Sequence, residues 1–570
     1  MVYRVCSCRE SATGFRRCSR GWGPRRSSSC ADSARGNRES SADRACEQAA
    51  TDCVTEQKMK LKPSHHFVII LALAALNVVG YVAVIWAGAL RGYWPSPLIA
   101  IRDILLFVPV IVIFIWLVRN QRYKGDLTVF TAALLLFSIG NIAQYRLFSD
   151  PEYGARGRQK YQARMAKMQT VFKRSIESGY DERKKNFLYG DSETRMPAPD
   201  TSVLQRRFSV YELLTSQYSY VLILGLIGMA GAFLFLRRDS ALLMLQKYSI
   251  SIGLMTLIPF LILVTFFSAQ GKFLGGTTPW EAVKILFLFS FAGMLADNYR
   301  SLSQTRWGVP PGRILAPFLA VAAMPALPFF VLSDLGQMLV FFGVYALLFF
   351  ISVRRAPQLV YAAALSLAFI PIFYFGLGIP DRARLRIYLW LHTWQAPPEG
   401  APWWRPFFER IQNEYEGRQI SNLDAWFDQA SQVALGLFGI ESGGLKGQGL
   451  GLGFPEVVPV SDSDFIYAAI AEELGFLGGL AIIIAFAALV FAGLRIAIEA
   501  RDMFTKLIAA GVTGFLGFQA LVNLGGVLRV LPMTGITLPF VSHGGSSLIT
   551  SFVMIGILMA ISHRNSKAIQ

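Results

Sequence analysis

Leu531-Pro-Met-Thr-Gly-Ile-Thr-Leu-Pro-Phe-Val-Ser-His-Gly-Gly-Ser-Ser547 interrupts, with glycines, prolines and hydroxyls, what would otherwise read as one membrane helix. A simple anchor needs none of these residues. Backbone groups released by Pro and Gly are costly in hydrocarbon unless protein or a water-filled cavity surrounds them. The stretch therefore lines something inside a bundle of membrane helices, and the surrounding chain bears this out in composition. Of 570 residues, 53% are hydrophobic and only 16% charged, the balance of a polytopic membrane protein rather than a soluble domain.

The net charge of +18 raises the question of nucleic acid. Most cations, however, sit in short loops between apolar runs, where the positive-inside rule places them, so the excess is read as topology. The expectation is no nucleic-acid partner and contact with membrane lipid.

Residues 1–60 read differently from the rest. All six cysteines (Cys6, Cys8, Cys18, Cys30, Cys46 and Cys53) lie there among Arg, Ser and Gly with no apolar period, and their spacings match no zinc pattern. Met59-Lys-Leu-Lys followed by an apolar run has the form of a natural membrane-protein start, so the preceding stretch is expected to be a disordered tail or an upstream misreading.

Apolar runs of roughly 17 to 25 residues, the length that spans a bilayer, occur near 67–89, 98–118, 127–144, 219–236, 249–268, 282–298, 313–332, 335–353, 358–378, 464–494, 505–528 and 537–562. The expected fold is thus an all-α bundle of about twelve membrane helices. Cations in alternate short loops, such as Arg237 with Arg238 and Arg354 with Arg355, put both termini in the cytoplasm. Two long loops, about 145–217 and 379–463, then fall on the external side. The first reads as a solvated insertion. The second carries aromatic residues at Trp394, Trp403 and Trp404, the glycine run Gly443–Gly453, and Val458-Pro-Val-Ser-Asp-Ser-Asp464 at the mouth of a helix. Glycines so spaced let backbone N–H groups approach an anion. From residue types alone, Asp462, Ser463 or Asp464 reads as the cap of that helix.

Polar residues within spans are expensive in lipid and should face the interior. These are Glu281, Lys284, Asp334, Glu472, Glu473, Gln519 and Asn523. Glu281 and Lys284, at i and i+3, are expected to pair, and Asp334 to cap the helix that follows it. On a regular helix Glu472 lies about 80° around and about 12 Å deeper than Asp464, with Glu473 on the opposite side. The two glutamates are therefore not expected to serve one site.

Pro532 to Ser547, Gly447-Gln-Gly-Leu-Gly451, Asp464-Phe-Ile-Tyr467 and Ala471-Glu-Glu-Leu-Gly475 together resemble the signature blocks of the SEDS family of shape, elongation, division and sporulation proteins, whose named members are RodA and FtsW. Weaker echoes are Pro279 to Lys284, Ser333 to Gly336 and Arg386 to Trp394, in the family's order. The resemblance runs from about residue 127 to the end. It departs from the family at His543, where Tyr is usual, at Asp462, in place of His, and at Thr534, in place of Lys.

The resemblance implies a peptidoglycan glycosyltransferase that polymerises lipid II outside the cytoplasmic membrane of a bacterium, beside a class B penicillin-binding protein. It implies a core of ten spans over 127–570, with the loop 379–463 catalytic, plus two extra helices over 61–126. Asp464 becomes the candidate base for an acceptor hydroxyl, its pKa expected to be raised by desolvation and by Asp462 if the two repel. Arg386 and Lys446 become candidates for holding the leaving diphosphate. Asp462, Thr537, Ser542 and Ser546 become candidates for substrate contact. His543 is read as making a packing hydrogen bond. No cluster has metal-ligand spacing and no cofactor is named; a divalent cation assisting the diphosphate stays open. Two other readings are a flippase for lipid-linked precursors, which broken helices at the midplane would favour, and an inactive scaffold for a synthase.

Overall fold

The structure is a computed structural model that describes residues 6–10, 16–20, 63–91, 94–149, 217–257, 280–303, 335–353, 381–398, 400–414 and 422–569. Two compact units divide the chain, Met1–His65 and His66–Gln570. In the first, β1 (Cys6–Glu10) pairs antiparallel with β2 (Arg16–Arg20), Cys8 opposite Cys18. This short hairpin stands outside the all-α expectation.

The described residues of the second unit are helices and loops. In chain order the helices are α1 (Pro63–Leu90), α2 (Pro97–Asn120), α3 (Thr128–Ser149), α4 (Gln217–Leu236), α5 (Asp239–Lys247), α6 (Trp280–Ser303) and α7 (Leu335–Val353). There follow α8 (Asp381–Leu391), α9 (Arg405–Glu414), α10 (Asn422–Gly443), α11 (Ile466–Glu499), α12 (Met503–Val527) and α13 (Gly545–Ile569).

Among the described residues seven helices are long and apolar enough to cross a membrane, or eight if the bent pair at Val221–Leu236 and Asp239–Lys247 is one span. The expected twelve is corrected on that count, and the reason is that an apolar run is not yet a spanning helix. The helix α5 that follows the run at 219–236 bends 89° away from it at Arg237 and Arg238. The runs at 313–332 and 358–378, most of 249–268, Asp334, and the loop 145–217 beyond Ser149 lie outside the described residues. The last run begins later than its composition says, at Gly545 rather than 537. Pro532, Pro539 and the left-handed backbone at Gly535 (φ 76°) keep residues 531–544 out of the helix.

Helix α12 starts sharply because the Asp502 carboxylate accepts the amide N–H of Thr505 at 2.8 Å. It forms the spine of the bundle, flanked by α11, α7 and α6, while α13 lies along α4. That last contact is close enough that a Cβ on Gly556 would fall 2.9 Å from Met229 Cα. Only a residue without a side chain permits it. Helices α8, α9 and α10 lie in the long loop 379–463, where Leu385, Leu389, Trp404, Ile411 and Trp426 build a small apolar core of their own.

Candidate functional site

Three segments far apart in sequence converge at one end of the bundle: helix α8, the turn 460–465 that leads into α11, and the loop 529–544 between α12 and α13. Hydrogen bonds fasten them. The His543 amide N–H donates to Asp462 O at 2.8 Å, and the Ser542 hydroxyl to Ser463 O at 2.6 Å. From α12, the Asn523 amide donates to both Asp464 O (2.9 Å) and Ile536 O (2.6 Å), tying turn to loop. Trp390 and Arg529 exchange bonds, indole N–H to Arg529 O and guanidinium Nε to Trp390 O, each 3.0 Å.

Gly535 is the exposed centre of this arrangement. A Cβ placed on it would lie 3.3 Å from Arg386 Nη2 and 3.5 Å from Asp464 Oδ2. Arg386 also donates to Thr534 O at 2.7 Å, and the Ser463 hydroxyl donates to Asp464 Oδ1 at 2.9 Å. A carboxylate and a guanidinium thus meet across a bare backbone, both half-buried. The capping position of α11 falls on Phe465, without a side-chain cap. Strain gathers at the same place. Among the described residues the non-glycine positions with positive φ are Arg122, Val460, Arg529 and Phe540, and the last three flank this site. For a β-branched residue such as Val460 (φ 58°) that geometry is unfavourable, and such strain clusters at functional sites.

Thr537 and Ser547 bond hydroxyl to hydroxyl at 3.2 Å, and Thr537 O accepts from Gln519 at 3.0 Å. Gln519 in turn accepts from Lys284 (3.2 Å), whose ammonium binds both oxygens of Glu281 at 2.9 and 3.0 Å. The interior pair is therefore linked through α12 to the loop. Ser546 is half-buried at the start of α13. His543 packs edge-on against Phe148, ring centroids 5.1 Å apart. Burial pushes its imidazole below the ordinary pKa, and the neighbouring Asp462 charge opposes that shift.

Lys446 is not brought to this site. It is exposed on the glycine loop, whose backbone packs on the kink at Gly475, eleven residues and about 16 Å along α11 from Asp464.

Glu472 and Glu473, expected on opposite sides, act on one loop. Glu472 Oε1 accepts the amide of Phe454 at 2.7 Å, and Glu473 Oε2 that of Gly451 at 3.1 Å. The two glutamates keep their helical offset, since the non-helical residue inside α11 is Gly475 (φ 66°, ψ −168°), beyond both, and they reach one loop because the glycine loop wraps both flanks of that turn. Sequence reasoning missed the cations that complete this group. Arg146, 1% exposed, donates to Glu473 Oε1 at 2.8 Å and to Glu456 Oε2 at 3.2 Å. Arg91, at the end of α1, donates to Leu452 O and Gly453 O and lies 4.5 Å over the Phe454 ring. The available signal was an arginine in the last turn of a membrane helix, obscured by ending that span at 144. A cavity of about 210 Å³ adjoins the group, walled by apolar residues of α1, α3 and α11 together with Arg146 and Glu473. Among the described residues no group of three or more His, Cys, Asp or Glu could hold a metal ion.

Residues 201–567 match the family of cell cycle proteins typified by FtsW, RodA and SpoVE. The chain is similar to the peptidoglycan glycosyltransferase RodA of Mycobacterium bovis, 33% identical over 290 residues, which cover 50% of this chain and 55% of that protein. It is similar also to the probable peptidoglycan glycosyltransferase FtsW of Geobacter metallireducens, 30% identical over 332 residues, covering 56% and 78%. Among solved structures, the Thermus thermophilus rod shape determining protein RodA aligns at 19% identity over 71% of this chain and 96% of that one, with a TM-score of 0.36. The chain thus spans about half the length of the mycobacterial relative. With most of its length matched, and its signature residues gathered at one end of a multi-pass helical bundle, the chain belongs to the RodA, FtsW and SpoVE family of membrane proteins.

Proposed function

We propose that the protein is a peptidoglycan glycosyltransferase that polymerises lipid II in the bacterial cytoplasmic membrane, with both termini cytoplasmic and the Asp464 site facing outward. The single observation that carries this reading is the meeting of Asp464 and Arg386 over the exposed Gly535. In the reaction the acceptor sugar hydroxyl gives its proton to the Asp464 carboxylate as its oxygen bonds to the anomeric carbon. The bond from that carbon to the diphosphate breaks, and undecaprenyl pyrophosphate leaves. Arg386 suits the departing charge, since a planar guanidinium binds phosphate oxygens in pairs. Asp462 and Ser542 serve by holding the turn against the loop through their backbone and hydroxyl bonds, and Thr537 and Ser546 line the entry of α13. Lys446 takes no part in the transfer. A class B penicillin-binding protein is the proposed crosslinking partner.

The flippase reading has one observation in its favour, the break in α11 at Gly475. Its freed backbone groups, however, are taken up by the glycine loop, the Phe476 amide donating to Gly444 O at 2.8 Å and the Gln448 amide to Glu472 O at 3.0 Å. The break is packed rather than lining a passage. Incubating the purified protein with labelled lipid II and resolving the products on a gel tests the proposal. Polymer from the wild type and none from Asp464→Asn supports it; equal polymer from both removes Asp464 from the base role.

A further inference from the structure

At the other end of the bundle, with His563 about 27 Å along α13 from Gly545, the loop 121–126, the bend at Arg237 and the last turns of α13 come together. The amide of Asp126 donates to the Ser562 hydroxyl at 2.8 Å, and the amide of Lys124 to His563 Nδ1 at 3.2 Å. Arg237 bonds to Gln121. The His563 ring stacks on Tyr123, centroids 5.5 Å apart.

Because Nδ1 accepts the Lys124 amide, the proton of a neutral His563 ring sits on Nε2. That nitrogen is buried and has no hydrogen-bond partner among the described residues, and His563 is 1% exposed. Ser566 Oγ, on the same face one turn on, is also buried without a partner. Two orphaned donors side by side call for an acceptor. The groups facing His563 are the cations Lys567, Arg237 and Lys124. The nearby acids are engaged elsewhere: Asp126 Oδ1 accepts from the Thr128 amide (2.9 Å) and hydroxyl (2.6 Å), and Asp239 binds Arg564 at 2.5 Å.

We propose that this corner binds the phosphate of an anionic phospholipid headgroup, held by His563 Nε2 and Ser566 Oγ and enclosed by Lys124, Arg237 and Lys567. A lipid is favoured over a soluble anion because the corner ends an apolar helix surface. Phe235, two residues before Arg237, and Ile115, four before Arg119, are 45% and 40% exposed. Acyl chains lying on that surface deliver the headgroup to the cations, as in basic pockets between membrane helices. The site stands apart from the transfer chemistry, and its test does not depend on it.

The test is native mass spectrometry of the full chain, extracted from vesicles of phosphatidylcholine mixed with phosphatidylglycerol and counting retained lipid. Phosphatidylglycerol is expected to be retained over phosphatidylcholine. Retention should fall about tenfold or more in the combined variant Lys124→Gln, Arg237→Gln, Lys567→Gln, whose exposed positions leave the core intact. His563→Phe, which keeps the stacking on Tyr123, should fall likewise. Equal retention of the two lipids, or undiminished phosphatidylglycerol on the combined variant, overturns the proposal. Displacement of the lipid by inorganic phosphate, with phosphate itself then bound, assigns the site to a free anion and overturns the lipid.

Discussion

Gly535 is the residue on which the proposed chemistry turns. Its φ of 76° suits a residue without a side chain, and a methyl group there costs about 1–2 kcal/mol of backbone strain while pressing on Arg386 and Asp464. Gly535→Ala is expected to lower polymer yield by about tenfold to a hundredfold with the protein still folded, measured by the lipid II gel assay beside a melting curve. Arg386→Lys keeps the charge but loses the paired geometry, and should reduce turnover more than it reduces binding of lipid II. His543 gives a pH signature. Its folded pKa lies below the ordinary 6.5, so the unfolded chain binds the proton more readily than the folded one. Stability is therefore full above about pH 6.5 and falls as the pH drops below it. Melting temperatures between pH 5 and 8 should show that slope in the wild type and a shallower one in His543→Gln.

Among the elements, the break in α11 and the buried ionic group around it hold together the end of the bundle that carries Asp464. Arg146→Met leaves Glu473 and Glu456 without their buried cation and is expected to cost about 3–5 kcal/mol, read as a lower melting temperature in detergent. An equal melting temperature would remove the group from that role. This is also where the sequence was least legible. The spans around α3, α11 and α12 could be read from apolar length, and the Glu281–Lys284 spacing announced a contact that a regular helix supplies. Helical offset separates Glu472 from Glu473, yet amides of one loop reach both, because that loop wraps the turn of α11 just before the break at Gly475, which periodicity does not foretell. Arg146 escaped notice because its partners lie 310 and 327 residues away. Among the described residues, counting apolar runs overstated the spans because bends and helix starts are set by prolines, glycines and tertiary bonds that hydropathy averages away.

At the scale of the whole molecule, the blocks at 386, 464 and 532–547 fold into one assembly at one end of the bundle, while a cation-rich corner forms at the opposite end. The motifs at 386, 464 and 532–547 were each legible in the sequence as isolated blocks. Their meeting point was not, since it depends on Asn523 joining two backbone segments and on Gly535 leaving space between a carboxylate and a guanidinium. The direct test of that meeting point is the rate of glycan polymerisation by purified protein supplied with lipid II, compared between the wild type and Asp464→Asn. Loss of a general base predicts a fall of about a hundredfold or more with the melting temperature unchanged; polymer formed at the wild-type rate would contradict it.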